Sequence, residues 1–391
     1  MKVIFFSPKF HPEPNYYIND VVFDIKGLDK VIICGRNIDS KIFTIKSSIK
    51  NITTYYVPYR LRKGNGNLSL FIEYVSFFLF SLLIIPYAVI REMPKKIFFY
   101  GISPPLYMIP FVMLKPFFRF KIAYWVQDIW PESIFIRMKH SNILYYLINI
   151  PIKLIYKCSD DILLLNESFD SNNRFKKLKH KIQYLPQGHK HPHNAIIDAP
   201  SSNIINNIRQ EKRKVIVYAG NVANSMYLEE MAEAVESNNE NFVFYIIGDG
   251  DFKDILVQKK YKSVIFFDLI NREYIQKVIS EADFAYLGRK LKNDDMNIIS
   301  KIFPGKLSLY MLVQLPIISI VNMELFNFIK VNNLGYPIEF TTIDDLSENL
   351  KSISEESKIK NFGIKQSQKE LFESSFEHKE IIKQIYNIII K

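Results

Sequence analysis

The chain has 391 residues, 48% of them hydrophobic and 23% charged, with a formal net charge of +11. That length is long for a single core and suits two domains, and the composition excludes a disordered chain. Two cysteines far apart, Cys34 and Cys158, exclude a disulfide framework and a cysteine metal motif, and they fit a reducing compartment.

Met1 leads straight into KVIFFS (2–7), a strand pattern and not that of a signal peptide, so a cytosolic location is expected. A helix is predicted at about 16–28, then strands at 30–34 and 52–57. Residues 67–92 read as one long apolar helix, with no charge in the 17 residues between Glu73 and Arg91. That is the lower limit for a membrane span. Pro86 and the surrounding strand–helix pattern also allow a helix buried in the domain or lying in the membrane plane. A strand (96–101), a helix opened by prolines (103–114), a strand (120–127), a second apolar helix (140–157) and strands at 160–166 and 181–186 complete the first half. Residues 188–203, GHKHPHNAIIDAPSSN, lack periodicity and read as a linker. The second half repeats the alternation, with strands at 214–221, 241–251, 263–270, 283–288 and 315–321 and helices between them.

Strands alternating with helices predict parallel sheets covered by helices. The expectation is an α/β chain of two doubly wound, Rossmann-like domains facing a central cleft, with ligand at the carboxyl ends of the strands. The N-terminal domain spans 1–187 and the C-terminal domain 204–370; a helix in 371–391 packs back on the first domain. Charge is uneven. Residues 1–187 hold 26 Lys and Arg against 13 Asp and Glu, and residues 188–391 hold 25 against 27. A basic and apolar half points to an anionic membrane surface or an anionic lipid-linked ligand. No nucleic-acid-binding motif is present, and the basic residues are not interleaved with stacking aromatics, so no nucleic-acid partner is expected.

Five stretches carry candidate chemistry. WVQDIWPES (125–133) holds both tryptophans of the chain around a carboxylate, Asp128, at the end of a strand. The bland reading is core tryptophans with Asp128 capping a helix. YAGNVANSMYLEE (218–230) reads as strand, turn and helix start, so Gly220 and Asn221 offer free amides to an anion such as a diphosphate. IIGDGD (246–251) supplies Gly248 and Gly250, which let backbone approach a ligand, and Asp251 as a helix cap. A metal on Asp249 and Asp251 is the lesser reading. FPGK (303–306) places Lys306 at a helix start, a position that suits a lysine when a phosphate is bound there. HKHPH (189–193) reads as a polar loop rather than a metal site.

Taken together, KFHPEP, ISPPL, WVQDIWPES, YLPQG, YAGN and IIGDGD resemble, in order and over nearly the whole chain, the bacterial family-4 glycosyltransferases (GT4) of the GT-B fold. The likeness is greatest to the fucosamine-transferase-like subgroup that builds O-antigen and capsule. The resemblance implies that Asp128 faces the acceptor and the reacting sugar, its carboxylate holding sugar hydroxyls while the tryptophan rings cover apolar sugar faces, with Gln127, Trp130 and Glu132 shaping the acceptor wall. Glu13, in KFHPEP, is the next candidate for the catalytic group. Three departures stand out. Gln127 occupies a position where many GT4 enzymes carry histidine. NYY (15–17) replaces small residues. Lys301 and Leu309 replace both carboxylates of the Glu-X7-Glu motif whose second glutamate holds the ribose, and KLSLYMLVQLPII resembles instead the matching segment of galactofuranosyl- and glucosyltransferase-3-like enzymes, so either Ser308 or backbone holds the ribose or donor binding is lost.

The resemblance implies transfer of a sugar from a nucleotide-diphosphate donor, UDP-linked, to a lipid-linked saccharide. Anomeric configuration is retained, with no metal and no cofactor beyond the donor, in an enzyme peripherally attached to the inner face of the membrane. The alternatives are a GT-B sugar-nucleotide epimerase and an inactive partner subunit of a polysaccharide-assembly complex.

Overall fold

The computed structural model describes residues 1–391 except 11–16, 39–44, 61–66, 103, 133–141, 172–173, 192–196, 291–302 and 322. The chain forms two compact units, Met1–Gln187 with His378–Lys391, and Gly188–Glu377.

In chain order the first unit contains β1 (Lys2–Ser7), α1 (Tyr17–Asp24), β2 (Asp29–Asn37), β3 (Lys46–Ile49), β4 (Ile52–Tyr59), α2 (Asn67–Glu92), β5 (Lys96–Gly101), α3 (Ile109–Phe118), β6 (Lys121–Val126), α4 (Asn142–Cys158), β7 (Asp161–Leu164) and β8 (Ile182–Tyr184). Its eight strands lie in the order β3-β4-β2-β1-β5-β6-β7-β8. All neighbours are parallel except β3 and β4. The short polar strand β3, KSSI, has no apolar pattern and escapes sequence reading. The central strands do not alternate; Val3–Phe6 and Ile97–Tyr100 are buried throughout. Continuous apolar runs are what a parallel sheet covered on both faces requires.

The C-terminal helix, His378–Ile390, belongs to this unit. His378 Nε2 lies 3.0 Å from Asp24 Oδ2, and its Nδ1 lies 2.9 Å from the Tyr17 hydroxyl. Lys96, on β5 and 2% exposed, donates to Ile388 O at 2.7 Å and pairs with Asp161 Oδ2 at 2.7 Å. A buried lysine needs such partners, and a buried carboxylate left without its cation is costly. Lys96→Met is expected to destabilise the protein by about 3 kcal/mol. Faster amide exchange over 378–390 should accompany the loss. Unchanged denaturation midpoint and unchanged exchange would show that the helix docks without this lysine.

The second unit contains α5 (Ala199–Gln210), β9 (Lys214–Ala219), α6 (Leu228–Ser237), β10 (Phe242–Ile247), α7 (Lys253–Gln258), β11 (Val264–Phe267), α8 (Arg272–Ile279), β12 (Phe284–Gly288), α9 (Gly305–Leu312), β13 (Ile317–Ile320), α10 (Met323–Val331), β14 (Gly335–Pro337) and α11 (Ile343–Ser375). Its strand order is β11-β10-β9-β12-β13-β14, every pair parallel. This is the Rossmann order, and the direction of winding reverses between β9 and β12. Successive residues of each strand point to opposite faces. Val215, Val217 and Ala219 therefore enter one core with Tyr310 and Ile317, while Ile216 and Tyr218 enter the other with Leu228 and Tyr286.

The stretch 188–203, read as a linker, is part of the second unit. Its end opens α5, where Asp198 accepts from Ser201 N at 2.9 Å as the helix cap. The C-terminal segment is also divided: α11 runs on through Ser375 in the second unit, and the chain enters the first unit only at His378.

Candidate active site

The second unit gathers its polar backbone at the carboxyl ends of β9 and β10. After β9 the chain turns at Gly220, with φ +139°, and after β10 at Gly248, with φ +150°. Side chains rarely tolerate either conformation. The two turns lie backbone on backbone. Gly220 N donates to Ile247 O at 2.9 Å, and Val222 N donates to Asp249 O at 2.9 Å. A Cβ on Gly248 would stand 2.0 Å from Gly220 O, and one on Gly250 2.2 Å from Val222 O. The glycines of IIGDGD therefore let one turn pack on the other. Asp251 is not the helix cap either: Phe252 holds that position, without a side-chain bond. Asp249 Oδ1 accepts from Gly250 N at 2.8 Å and stabilises the turn.

Gly220 makes room for a lysine. A Cβ there would meet Lys306 Cε at 2.6 Å and Nζ at 2.8 Å. Lys306 is the second residue of α9, whose cap, Pro304, offers no side-chain acceptor. Its ammonium sits 3.7 Å from the centroid of the Tyr218 ring. Burial pushes the Lys306 ammonium down to about 7, and no carboxylate among the described residues offsets that. Among the described residues this cation meets an aromatic face and no carboxylate, at a glycine turn beside the β9/β12 reversal. The helix dipole comes from α9. The expected donor of that dipole, the helix after YAGN, begins only at Leu228, so Gly220 and the exposed Asn221 do not form its N-terminus.

Buried tyrosines hold these turns. Tyr218 OH donates to Asn221 O at 2.5 Å, Tyr286 OH to Tyr227 O at 2.9 Å, and Tyr310 OH to Tyr286 O at 3.2 Å. Sequence reading missed them, although a signal exists. Both β9 and β12 end in Tyr-X-Gly, Tyr218-Ala219-Gly220 and Tyr286-Leu287-Gly288.

Ser308 does not reach outward. It is 3% exposed; its hydroxyl donates to Gly305 O at 3.0 Å and lies 2.9 Å from His189 Nδ1. The ribose contact expected of it is replaced by a bond inside the fold. Leu309 is a core residue. Lys301 lies outside the described residues, as does Glu13. His191 packs its ring on Phe372, 5.9 Å between centroids, so His189 and His191 turn to different partners; His193 lies outside the described residues. Among the described residues no group of three His, Cys, Asp or Glu is placed to hold a metal ion.

In the first unit, WVQDIWPES follows β6. Both tryptophans are buried, Trp125 at 0% and Trp130 at 4% exposure. Trp125 Nε1 donates to Leu185 O at 2.8 Å, and Trp130 faces Tyr74 with 6.4 Å between centroids. The expected sugar-covering cage is thus a pair of core residues, with hydrophobic burial as the stronger pull on both rings. Gln127 is also buried; its Oε1 accepts from Gln187 Nε2, and its own Nε2 has no hydrogen-bond partner among the described residues. Glu132 Oε1 pairs with Arg174 Nη2 at 2.6 Å, and Arg174 Nη1 donates to Asn149 Oδ1 at 2.7 Å. One oxygen of the Glu132 carboxylate is thus tied into the fold, while Oε2 is buried without a partner among the described residues. Arg174 stands alone in DSNNRF, where nothing in the pattern marks it. Asp128 is half-buried beside this network. Burial pushes the Tyr124 and Tyr156 hydroxyls up, and Asp128 adds to the rise in both.

No protein-family model and no curated protein matches the chain. Solved structures do. Sucrose-phosphate synthase from Thermosynechococcus elongatus aligns over 99% of this chain and 98% of its own, with TM-score 0.71 and 12% identity. Anabaena HepE in complex with UDP-glucose aligns over 100% and 99%, with TM-score 0.66 and 11% identity. The lipopolysaccharide outer core galactosyltransferase WaaB, in its apo form, aligns over 100% and 99%, with TM-score 0.64 and 14% identity. These neighbours are GT-B glycosyltransferases, and the two parallel-sheet Rossmann-like units described above give this chain the GT-B fold.

Proposed function

We propose that the protein is a glycosyltransferase that takes a sugar from a nucleotide-diphosphate donor, UDP-linked, and passes it to a lipid-linked saccharide in cell-surface polysaccharide assembly. The observation that carries the reading is Lys306. Its ammonium is buried against Gly220 and Tyr218 with no carboxylate beside it among the described residues, at the winding reversal of a Rossmann sheet. A diphosphate supplies the missing charge. UDP-glucose in the HepE structure supports a sugar nucleotide as that diphosphate.

In this reading Lys306, the Gly220–Asn221 turn and the first-turn amides of α9 neutralise the leaving diphosphate. Asp128 aims the acceptor hydroxyl, and Gln127 Nε2, buried and without a partner among the described residues, adds a hydrogen bond to it. Gly248 and Gly250 support the donor site by packing the two turns. Configuration is retained at the anomeric carbon, no metal is required, and the enzyme works in the cytoplasm at the inner membrane face. The O-antigen and capsule subgroup of GT4 remains the reading that the motifs support.

A thermal-shift panel across UDP-, GDP-, dTDP- and ADP-sugars tests the donor. The right donor at 100 times its Kd should add about 2.7 kcal/mol of stability. Release of free nucleotide only when a lipid-linked saccharide is added separates transfer from epimerisation. No shift with any sugar nucleotide would leave the chain as an inactive partner subunit.

A further inference from the structure

Three helices of the first unit lie on one face of its sheet. The connections β4–α2–β5, β5–α3–β6 and β6–α4–β7 all step the same way across the strand order. Right-handed crossovers put such helices on one side. Step β1–α1–β2 runs the other way, and α1 meets the C-terminal helix there. Helix α2 packs on α3, and α3 on α4.

A layer of this kind normally shows water a polar outer surface. Here the inner faces are apolar, through Phe77, Ile84, Ile85, Ile152 and Ile155, and the outer faces are apolar too. Leu79 and Leu83 of α2, Phe117 of α3 and Tyr146, Leu147 and Ile150 of α4 are each more than half exposed, with Phe117 at 80%. Residues 71–92 are hydrophobic enough to cross a bilayer, yet 33% of their most apolar window is buried in the protein. A helix with one face in the core, joining two strands of one sheet, cannot leave that sheet to span. Exposed basic residues accompany the stripe: Arg91 and Arg119 near the ends of α2 and α3, Lys153 and Lys157 on α4. Neighbouring helices that expose apolar side chains together with cations are the complement of an anionic leaflet.

We propose that the outer face of α2, α3 and α4 is a docking surface for an anionic phospholipid bilayer, lying in the membrane plane with the apolar stripes at the acyl–headgroup boundary and Arg91, Arg119, Lys153 and Lys157 against the headgroups. This deepens the lipid-linked acceptor of the proposed reaction and rests on that reading for its purpose. Lipid binding is read without catalysis, so either idea can fail alone.

Flotation of the full-length chain with phosphatidylglycerol-containing vesicles tests it, beside pure phosphatidylcholine vesicles and a triple variant, Leu83→Glu, Phe117→Glu, Ile150→Glu. All three positions are exposed, so the melting temperature of the variant should match wild type. Wild type should float with the anionic vesicles, more weakly with the neutral ones, and alkaline carbonate should strip it. The variant should lose about tenfold or more of its binding. Equal flotation of wild type and variant, or failure of wild type to float, overturns the surface. Resistance to carbonate overturns the in-plane arrangement. Dimers of wild type that the variant abolishes, with no flotation, would give the face to a second copy and overturn the proposal.

Discussion

Asp128→Asn is expected to lower turnover by about 10²–10⁴-fold, the usual range for a positioned acid or base. Asn keeps the size and one acceptor oxygen and loses the charge. Donor affinity should stay within about twofold, because the groups assigned to the diphosphate, Lys306 and the Gly220 turn, belong to the other unit. The measurements are transfer rate with a lipid-linked acceptor and calorimetric affinity for the donor, made on the same purified variant. Near wild-type turnover would mean that the Asp128 carboxylate is structural, and Glu13 then becomes the candidate. A parallel loss of donor affinity would mean that Asp128 acts through the fold.

Lys306→Met should move two observables in opposite directions. Donor affinity should fall by about 10- to 100-fold, corresponding to a charged hydrogen bond to phosphate of about 1.5–3 kcal/mol. The unliganded protein should melt higher, because a cation is removed from a buried place where no described carboxylate offsets it. The pH dependence follows from the same group. In the free folded protein burial lowers Lys306 to about 7, from 10.5 unfolded. The folded state therefore binds fewer protons than the unfolded state between those values. Stability should rise with pH across that window, and the penalty of the charged lysine is fully present below pH 7. A bound diphosphate favours the charged form. Donor affinity should then be flat below about pH 7 and fall above it, by up to about tenfold per unit. UDP-glucose is a suitable probe, since its diester diphosphate does not titrate in that range. Equal affinity at pH 6.5 and 8.5, together with unchanged binding in Lys306→Met, would remove Lys306 from the donor site.

The chain alone determines its fold class, because parallel sheets need apolar strands buried on both faces, and that need is written locally as unbroken runs such as VIFF, IFFY and FVFYII. The helix at 67–92 and the strand at 96–101 are legible to the residue for the same reason. Positions of glycine at strand ends are legible too, since a positive φ is a demand made on one residue. What each glycine is for is not: Gly220 admits Lys306, whereas Gly248 and Gly250 admit another turn. Those are contacts between segments distant in sequence, which no local pattern encodes. The same holds for the nonamer WVQDIWPES. Composition marks it as unusual, but burial of Trp125 and Trp130 and the pairing of Glu132 with Arg174 arise from packing across the sheet. Lys306 is the clearest case. Its place after Pro-Gly at a helix start can be read from the sequence, while its low-dielectric seat over Tyr218 joins two segments distant in sequence and exists only in the folded unit. For the helices α2, α3 and α4 the sequence determines that they are apolar; only the topology decides that their three outer faces fall on one side, because crossover handedness is a property of the sheet and not of any helix.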